Sequence, residues 1–296
     1  MFNEIYPHKL NIEYKDVRPN EEDILLLYKG GSAFVKLADN KVEVPTVKDL
    51  GMDKEKTGFL FEIDGKRFFR LATEQSITDG AVAETDKEFV STEQKKLAEV
   101  GYSYVNLDNL RKTEPRHISF AIHLGLSLDR WYRKSVFCGK CGSRTVHSHK
   151  ERAMVCPNCH NVIYPTISPS VIVLIRDGEE ILVTRYQEAH NSYRGYALVA
   201  GYVESGETPE ETVRREVMEE VGLKVKNISY VTSQPWPQSG SLLLGFVCDI
   251  DGDRDVKVEE DELELAEWIN RKDLPDRSKD ASLTSHLIEM FRQAKL

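Results

Sequence analysis

The sequence predicts an α+β protein built from several compact units, and three observations support this. The first 130 residues contain short apolar segments separated by Gly and Asp turns, which is typical of β-strands. Two Cys-x-x-Cys pairs follow, and the remaining residues alternate strand-like with helical segments. At 296 residues the chain exceeds one ordinary domain, so two or three units are expected.

The composition fits a folded protein and argues against two functional classes. Hydrophobic residues make up 40% of the chain, which is enough to build a core. A formal net charge of -9 disfavours a protein that coats nucleic acid through bulk electrostatics. No run approaches the roughly 20 apolar residues of a membrane span, and the amino terminus has no signal-peptide pattern. We therefore expect a soluble, cytoplasmic protein.

The four paired cysteines predict a structural zinc site. Fourteen residues separate the pairs Cys138/Cys141 and Cys156/Cys159, and each pair can present two thiolates from a tight turn. Four sulfur ligands leave no open position for catalysis, so a zinc ribbon is expected. Two disulfides or reduced thiols are the alternative, which the missing secretion signal disfavours. The fifth cysteine, Cys248, is expected to be a buried strand residue.

The zinc ribbon divides the chain into three predicted domains. Residues 1–130 form a β-rich domain with a trailing helix, 131–165 the ribbon, and 166–296 a third domain. Strands are predicted at residues 23–28, 32–37, 57–63 and 66–72. Apolar residues in the segment 119–137 follow a helical spacing, so this helix should pack against a neighbour and lead into the ribbon.

The third domain begins with a hairpin and ends with a helix. Residues 170–186 predict two strands around an Asp177-Gly178 turn, and residues 283–294 predict the closing helix. Between them, Thr208, Pro209 and Glu211 form a helix start, and Gly222 a helix stop. The apolar stripe that should lie on a sheet consists of Val213, Val217 and Val221.

The same helix carries three carboxylates on an adjacent face. Glu216, Glu219 and Glu220 stand at i, i+3 and i+4, where like charges repel and destabilise an isolated helix. A divalent ion with oxygen ligands would offset this, and magnesium prefers a few carboxylates together with waters and phosphates. Glu207, in the preceding loop, could hold Arg215. The alternative is a solvated acidic face, which is common in acidic proteins.

The order of these residues resembles the Nudix box. Gly201, Glu207 and the run REVMEEVGL at residues 215–223 follow that family's pattern at every position. The resemblance implies a mixed β-sheet between helices and an enzyme in which metal ions assist attack of water on a pyrophosphate. It also implies metal ligation by Glu216 and Glu220, a ligand or base role for Glu219, an orienting pair Arg215–Glu207, and a metal-binding carbonyl of Gly201.

The flanks of the box are similar to the NADH pyrophosphatase family of zinc-ribbon Nudix hydrolases. They comprise the ribbon, the segment SQPWP at residues 233–237, the dipeptide Tyr164-Pro165 and an acidic segment containing Glu262. The resemblance implies hydrolysis of NADH or NAD to nicotinamide mononucleotide and AMP, removal of NAD caps from RNA, and a homodimer. It implies catalytic Mg²⁺ or Mn²⁺ with Glu262 as a further ligand. The substrate-binding residues that it implies are Tyr164, Gln234, Trp236 and Ser241.

Other substrates and functions stay open at this point. The family continues its signature with Phe-Pro and serine, whereas Pro237 precedes Gln238 here, so ADP-ribose or diadenosine compounds are alternative substrates. SQPWP could be a loop with a core tryptophan, and Tyr164 could pack under the ribbon. Basic ribbon residues could bind RNA: Lys140, Arg144, His149, Lys150 and Arg152. A non-catalytic nucleotide sensor is disfavoured because every acid of the box is present.

Overall fold

The computed structural model describes residues 1–71, 92–187, 195–258, 263–278 and 280–296. The chain forms two compact units, one of Glu4–Thr166 and one of Met1–Asn3 with Ile167–Leu296. The three-domain division at residues 130 and 165 remains a prediction. In the described ranges, no helix has both the length and the apolar character needed to cross a membrane.

The unit Glu4–Thr166 is rich in short strands, as the sequence predicts. Its first strands are β1 Leu10–Asn11, β2 Ile24–Leu26, β3 Tyr28–Lys29, β4 Ser32–Ala38, β5 Lys41–Glu43, β6 Thr57–Ile63, β7 Lys66–Leu71 and β8 Tyr102–Asn106. One sheet has the order β1-β6-β7-β2, and a second has the order β3-β4-β5 with β8 paired to β4. Ala72, the last residue of a predicted strand, lies outside the described residues.

Helices cover and connect these sheets. They are α1 Val47–Leu50, a 3-10 turn Lys54–Lys56, α2 Thr92–Glu99, α3 Leu107–Leu110 and α4 Arg116–Lys134. The long helix α4 is the one predicted before the ribbon, and it buries Phe120, Ile122 and Leu128. Gly125 allows its close approach to the sheet, because a Cβ there would lie 2.4 Å from the Leu26 side chain.

The ribbon follows α4 as a small antiparallel sheet. Its strands are β9 Val146–His147, β10 Met154–Val155 and β11 Val162–Ile163, in the order β11-β10-β9. Two tight turns flank the sheet, and each ends in a residue with left-handed backbone, Gly142 at φ 74° and His160 at φ 56°. The expectation that each cysteine pair lies in a tight turn is confirmed, since the N–H groups of Gly142 and His160 donate to the carbonyls of Cys138 and Cys156.

The second unit is a mixed sheet with one long helix on each side. Its elements are β12 Ser168–Asp177, β13 Glu180–Tyr186, β14 Val199–Tyr202, α5 Pro209–Val221, β15 Val225–Trp236, β16 Ser241–Ile250, β17 Leu263–Asn270, a 3-10 turn Arg271–Asp273 and α6 Leu283–Arg292. The sheet order is β15-β16-β12-β13-β17, with β14 paired to β12. Strands β12 and β16 are parallel and the other pairs are antiparallel, which confirms the mixed sheet.

Alternation along β12 separates two cores. Val171 and Val173 pack in the cluster that contains the valines of α5, whereas Ile172 and Leu174 pack with the apolar face of α6. Because successive strand residues point to opposite faces of a sheet, α5 and α6 cover opposite faces. The predicted hairpin turn lies between β12 and β13, with Gly178 at φ 57°.

Helix α5 begins and ends where the sequence predicts, and the predicted capping residues account for both ends. Thr208 caps it by accepting from the backbone N–H of Glu211 at 3.2 Å, and Glu211 accepts in return from the N–H of Thr208 at 2.7 Å. Pro209 is the first helical residue, and Gly222 ends the helix in left-handed backbone at φ 68°. Three fully buried valines fix the rotation of the helix: Val213, Val217 and Val221. The acidic face is therefore held in a defined direction.

Candidate active site

The three carboxylates on the acidic face of α5, Glu216, Glu219 and Glu220, have different environments. Glu220 is 2% exposed, and its Oε1 accepts from the backbone N–H of Ala200 at 3.3 Å. The Glu216 side chain is 13% exposed, whereas that of Glu219 is 53% exposed. The acidic face therefore extends from a buried carboxylate beside β14 to one that is open to solvent. Since it is largely shielded on one side, it is not simply a solvated helix face.

Arg215 joins the acids into one ionic network. Its Nε and Nη2 donate to the two carboxylate oxygens of Glu207 at 2.7 and 2.9 Å, which is the paired contact expected from the sequence. Its Nη1 donates to Glu216 Oε1 at 2.7 Å and to Glu219 Oε2 at 2.9 Å. Nη2 also reaches the Tyr202 carbonyl at 2.9 Å. The guanidinium thus offsets the repulsion between neighbouring acids.

This network also shifts the pKa of its members. The Arg215 side chain, together with the N–H of Glu204, lowers the pKa of Glu207 from 4.5 to about 2. The hydrogen bond to Glu207 is the main reason that the pKa of Arg215 is raised. Both groups therefore stay charged at neutral pH, and the pair keeps its geometry.

Gly201 brings the backbone of β14 against the acidic face. A Cβ at this position would lie 1.9 Å from the Glu216 carboxylate carbon, so any other residue here would force the Glu216 carboxylate to move. The Gly201 carbonyl accepts from the Ser170 hydroxyl at 2.9 Å. The carboxylates of Glu216 and Glu220 therefore both lie beside the backbone of β14, and carboxylates and backbone carbonyls are all oxygen donors.

The donor set fits a hard divalent cation. Magnesium and manganese prefer carboxylate and carbonyl oxygens, and a cationic nitrogen of Arg215 already lies between Glu216 and Glu219. The residues that could hold such an ion are Gly201, Glu216, Glu219 and Glu220. Glu262, the further ligand expected from the sequence, lies outside the described residues.

The SQPWP segment is a strand end rather than a loop. It closes β15, where Trp236 pairs with Ser241 across the hairpin. Gln234 is fully buried: its amide nitrogen donates to the Ala281 carbonyl at 2.9 Å, and its oxygen accepts from Leu283 N–H at 2.7 Å. Gln234 therefore offers no surface to a substrate here, which differs from its expected role. The segment alone cannot reveal this, since the partners lie nearly 50 residues away.

Trp236 and Ser241 lie near the box. Ser241 is 4% exposed, and its hydroxyl lies 3.3 Å from the Tyr202 hydroxyl and 2.8 Å from that of Ser239. Trp236 is partly buried. Tyr202, which the sequence reasoning did not single out, is 52% exposed and directly follows Gly201. An exposed aromatic residue next to the glycine of the box is the signal that could have marked Tyr202 as a candidate for contact with a substrate ring.

The four ribbon cysteines form a cluster that fits zinc. All four Sγ atoms lie within 4.8 Å of one another, with Cys138–Cys159 at 3.6 Å and Cys141–Cys156 at 3.5 Å. Those separations exceed the roughly 2.05 Å of a disulfide, and they match the edges of a tetrahedron with Zn–S bonds of about 2.3 Å. The geometry favours a closed structural site over two disulfides.

Tyr164 and Arg152, two other residues of the ribbon, differ in whether their side chains can contact a ligand. Tyr164 is 54% exposed and donates to Glu151 Oε1 at 3.0 Å, so it does not pack under the ribbon. Arg152 donates to the backbone carbonyls of Leu60 and Ile12, which removes it from the predicted RNA-binding set. A half-buried arginine bonded to backbone carbonyls is structural, and the sequence cannot distinguish it from an exposed basic residue.

Comparisons with known proteins agree with the two motifs. Residues 166–291 match the model of the NUDIX domain, and residues 133–164 match the NADH pyrophosphatase zinc ribbon domain. A protein of Pectobacterium atrosepticum named NAD-capped RNA hydrolase NudC is 44% identical over 167 residues, which cover 56% of this chain and 62% of that protein. A protein of the same name from Pseudomonas aeruginosa is 39% identical over 175 residues, or 59% of this chain and 60% of the relative.

The matched region thus spans about three fifths of these relatives. A Nudix hydrolase of known structure from Nitrosomonas europaea covers 54% of this chain and 91% of its own, at 19% identity and a TM-score of 0.47. The assignment therefore depends on the sequence matches, which contain both the ribbon cysteines and the complete box. Residues 133–291 therefore comprise a zinc ribbon of the NADH pyrophosphatase type followed by a NUDIX domain.

Proposed function

We propose that this protein hydrolyses the pyrophosphate bond of NADH or NAD, giving nicotinamide mononucleotide and AMP, and that it removes NAD caps from RNA. The observation that carries the proposal is the acidic face of α5 packed against Gly201 and Ala200. The name NAD-capped RNA hydrolase, borne by relatives at 39% to 44% identity, supports the substrate class. The cytoplasm, where thiols stay reduced, suits four cysteines that bind zinc.

The catalytic metal in this proposal is Mg²⁺ or Mn²⁺. Glu216, Glu219, Glu220, the Gly201 carbonyl and Glu262 would hold it, since all of them supply hard oxygen ligands. When bound, it would neutralise charge on the pyrophosphate oxygens and help to activate water. Arg215 and Glu207 orient the carboxylates through the hydrogen bonds described above.

Side chains of the protein would supply the general base and the contacts to the rings of the substrate. Glu219 has the most exposed carboxylate among Glu216, Glu219 and Glu220, so it is the best placed of the three to accept a proton from the attacking water. Tyr202 and Trp236 would contact the rings of the dinucleotide, since exposed or partly buried aromatic faces stack on bases. A preference for NADH over NAD would need such ring contacts, because an acidic site alone would favour the cationic ring of NAD.

Tyr164 has a different place in the proposal. It belongs to the same compact unit as the ribbon and is 54% exposed, so it is free to contact a ligand or another subunit. We infer that it completes a site in a homodimer. Light scattering of the purified protein measures the dimer, and a monomer at working concentration would contradict this part.

A substrate panel in oxygen-18 water tests the whole proposal. Purified protein with Mg²⁺ or Mn²⁺ receives NADH, NAD, ADP-ribose, diadenosine compounds and NAD-capped RNA. The expected products of NADH are two mononucleotides, one of which carries the label in its phosphate. Free nicotinamide as the main product would contradict attack at phosphorus, and faster cleavage of ADP-ribose or diadenosine compounds than of any NAD substrate would reassign the specificity.

A further inference from the structure

The first residues of the chain are part of the Nudix unit. Met1–Asn3 belong to that unit, and Phe2 is 2% exposed. The Phe2 N–H donates to the Ala281 carbonyl at 2.8 Å. Its ring meets Trp236 edge to face, with centroids 6.5 Å apart and planes at 66°. This is a favoured geometry for an aromatic pair.

Gln234 ties this contact to α6. The Ala281 carbonyl accepts from both Phe2 N–H and the Gln234 side chain, and Gln234 Oε1 accepts from the N–H of Leu283, the first residue of α6. Asn3 Oδ1 also accepts from Gln234 at 3.4 Å. Three segments that are distant in sequence therefore meet at Gln234, which is fully buried.

Trp236 connects this junction to the box. It pairs with Ser241 across the hairpin, and the Ser241 hydroxyl lies 3.3 Å from that of Tyr202, next to Gly201. Trp236 and Tyr202, the two proposed ring-binding residues, are thus both next to Ser241, Trp236 as its strand partner and Tyr202 through its hydroxyl. A side chain packed on only part of its surface needs a rigid neighbour to keep one orientation, and Phe2 provides one.

We propose that Met1–Asn3 form part of the substrate-binding end of the Nudix domain, with Phe2 acting as a positioning residue for Trp236. The inference depends on the proposed function, since it assigns Trp236 to dinucleotide recognition. Phe2 acts through Trp236 and does not touch the reacting phosphates. Its removal should therefore affect binding of the dinucleotide more than the chemical step.

The test compares Phe2→Ala and Phe2→Leu with the parent protein, all with a carboxyl-terminal tag. We expect KM for NADH to rise about three- to tenfold with kcat within about twofold, as the loss of an aromatic contact implies. Phe291→Leu is the matched control, because Phe291 is fully buried in the same domain on α6. It should lower thermal stability without raising KM. An unchanged KM in both Phe2 variants, or an equal rise in the control, would overturn the proposal.

A second measurement does not need activity. The chain has three tryptophans, so fluorotryptophan labelling should give three fluorine resonances, and Trp236→Phe identifies the one of interest. Phe2→Leu should shift and broaden that resonance alone. NADH with Ca²⁺, which takes oxygen ligands at longer distances than Mg²⁺, should shift it in the parent protein.

The two measurements separate the possible failures. If the parent protein cleaves no substrate of the panel, the proposed function is wrong. The fluorine spectra still show whether Phe2 positions Trp236 and whether the Trp236 resonance shifts when a dinucleotide binds. A Trp236 resonance that ignores both Phe2→Leu and NADH would overturn the inference even in an active enzyme.

Discussion

Replacing Gly201 with alanine should damage the proposed metal site while sparing the fold. A Cβ at this position would stand 1.9 Å from both the carboxylate carbon and Oε1 of Glu216, whereas real contacts essentially never fall below 3.0 Å. The Glu216 carboxylate must therefore retreat by about 1.1 Å or more, which is the difference between these distances. Its 2.7 Å hydrogen bond with Arg215 would break or move with it.

The expected magnitudes follow from that displacement. A misplacement of about 1 Å in an active site can cost about 100-fold in rate, or about 2.7 kcal/mol in the activation barrier. The fold should lose less than about 1 kcal/mol, because the clashing group is the end of a side chain and an ion pair of this exposure contributes about 0.5–1 kcal/mol. Alanine in a strand also loses less backbone entropy than glycine, which offsets part of the loss.

The assay measures three quantities on parent and variant: dinucleotide turnover at saturating Mg²⁺, Mn²⁺ affinity by electron paramagnetic resonance, and Tm. Gly245→Ala is the control, since its Cβ would lie 3.1 Å from the Thr232 carbonyl, within the same sheet. It should lower Tm more than Gly201→Ala does, with turnover per folded molecule preserved. If Gly201→Ala keeps parental turnover and Mn²⁺ affinity, the close approach of β14 to Glu216 has no role in the site.

Three further predictions concern the acids and the ribbon. Glu220→Gln removes the charge of a carboxylate that is 2% exposed, so turnover should fall by about two or more orders of magnitude while Tm stays the same or rises. Parental rates on every substrate would refute the role of Glu220 as a metal ligand. Metal analysis should find about one zinc per chain, and Cys156→Ser should impair folding more than chemistry, so a stable and fully active variant would contradict a structural site. The pKa of Glu207 lies at about 2 in the folded protein and 4.5 ordinarily, so the stability from its contact with Arg215 is complete above pH 4.5 and disappears as the pH falls towards 2. The Tm difference between the parent and Glu207→Gln should therefore close over that interval, and a constant difference would speak against the contact.

Local patterns were enough to predict the parts of this protein that depend on neighbours in sequence. The capping residues and the valine stripe predicted the boundaries and rotation of α5, because both depend on spacing within one helix. The two Cys-x-x-Cys pairs predicted the sulfur cluster for the same reason, since each turn is closed by residues next to it. The box pattern likewise anticipated the contact between Arg215 and Glu207.

Contacts between distant segments were beyond such patterns. Gln234 was expected to bind substrate, yet its amide is used to hold Ala281 and Leu283. Arg152 was expected on a basic surface, yet it bonds the carbonyls of Ile12 and Leu60. The sequence does not show whether a polar side chain faces solvent or bonds to a buried backbone group, because its partner is determined by the tertiary structure.

By itself, then, the sequence determined the helices α4, α5 and α6, the hairpin of β12 and β13, the zinc ribbon and the set of acids on one face of α5, since these follow from residue type and spacing. The tertiary structure decided which groups surround those acids. It brought Gly201 against Glu216, placed Tyr202 beside Ser241, and packed Phe2 on Trp236. The physical reason is that these residues are far apart along the chain. The sheet order β15-β16-β12 and the packing of α6 bring them together, and no periodic pattern in the sequence indicates such long-range contacts.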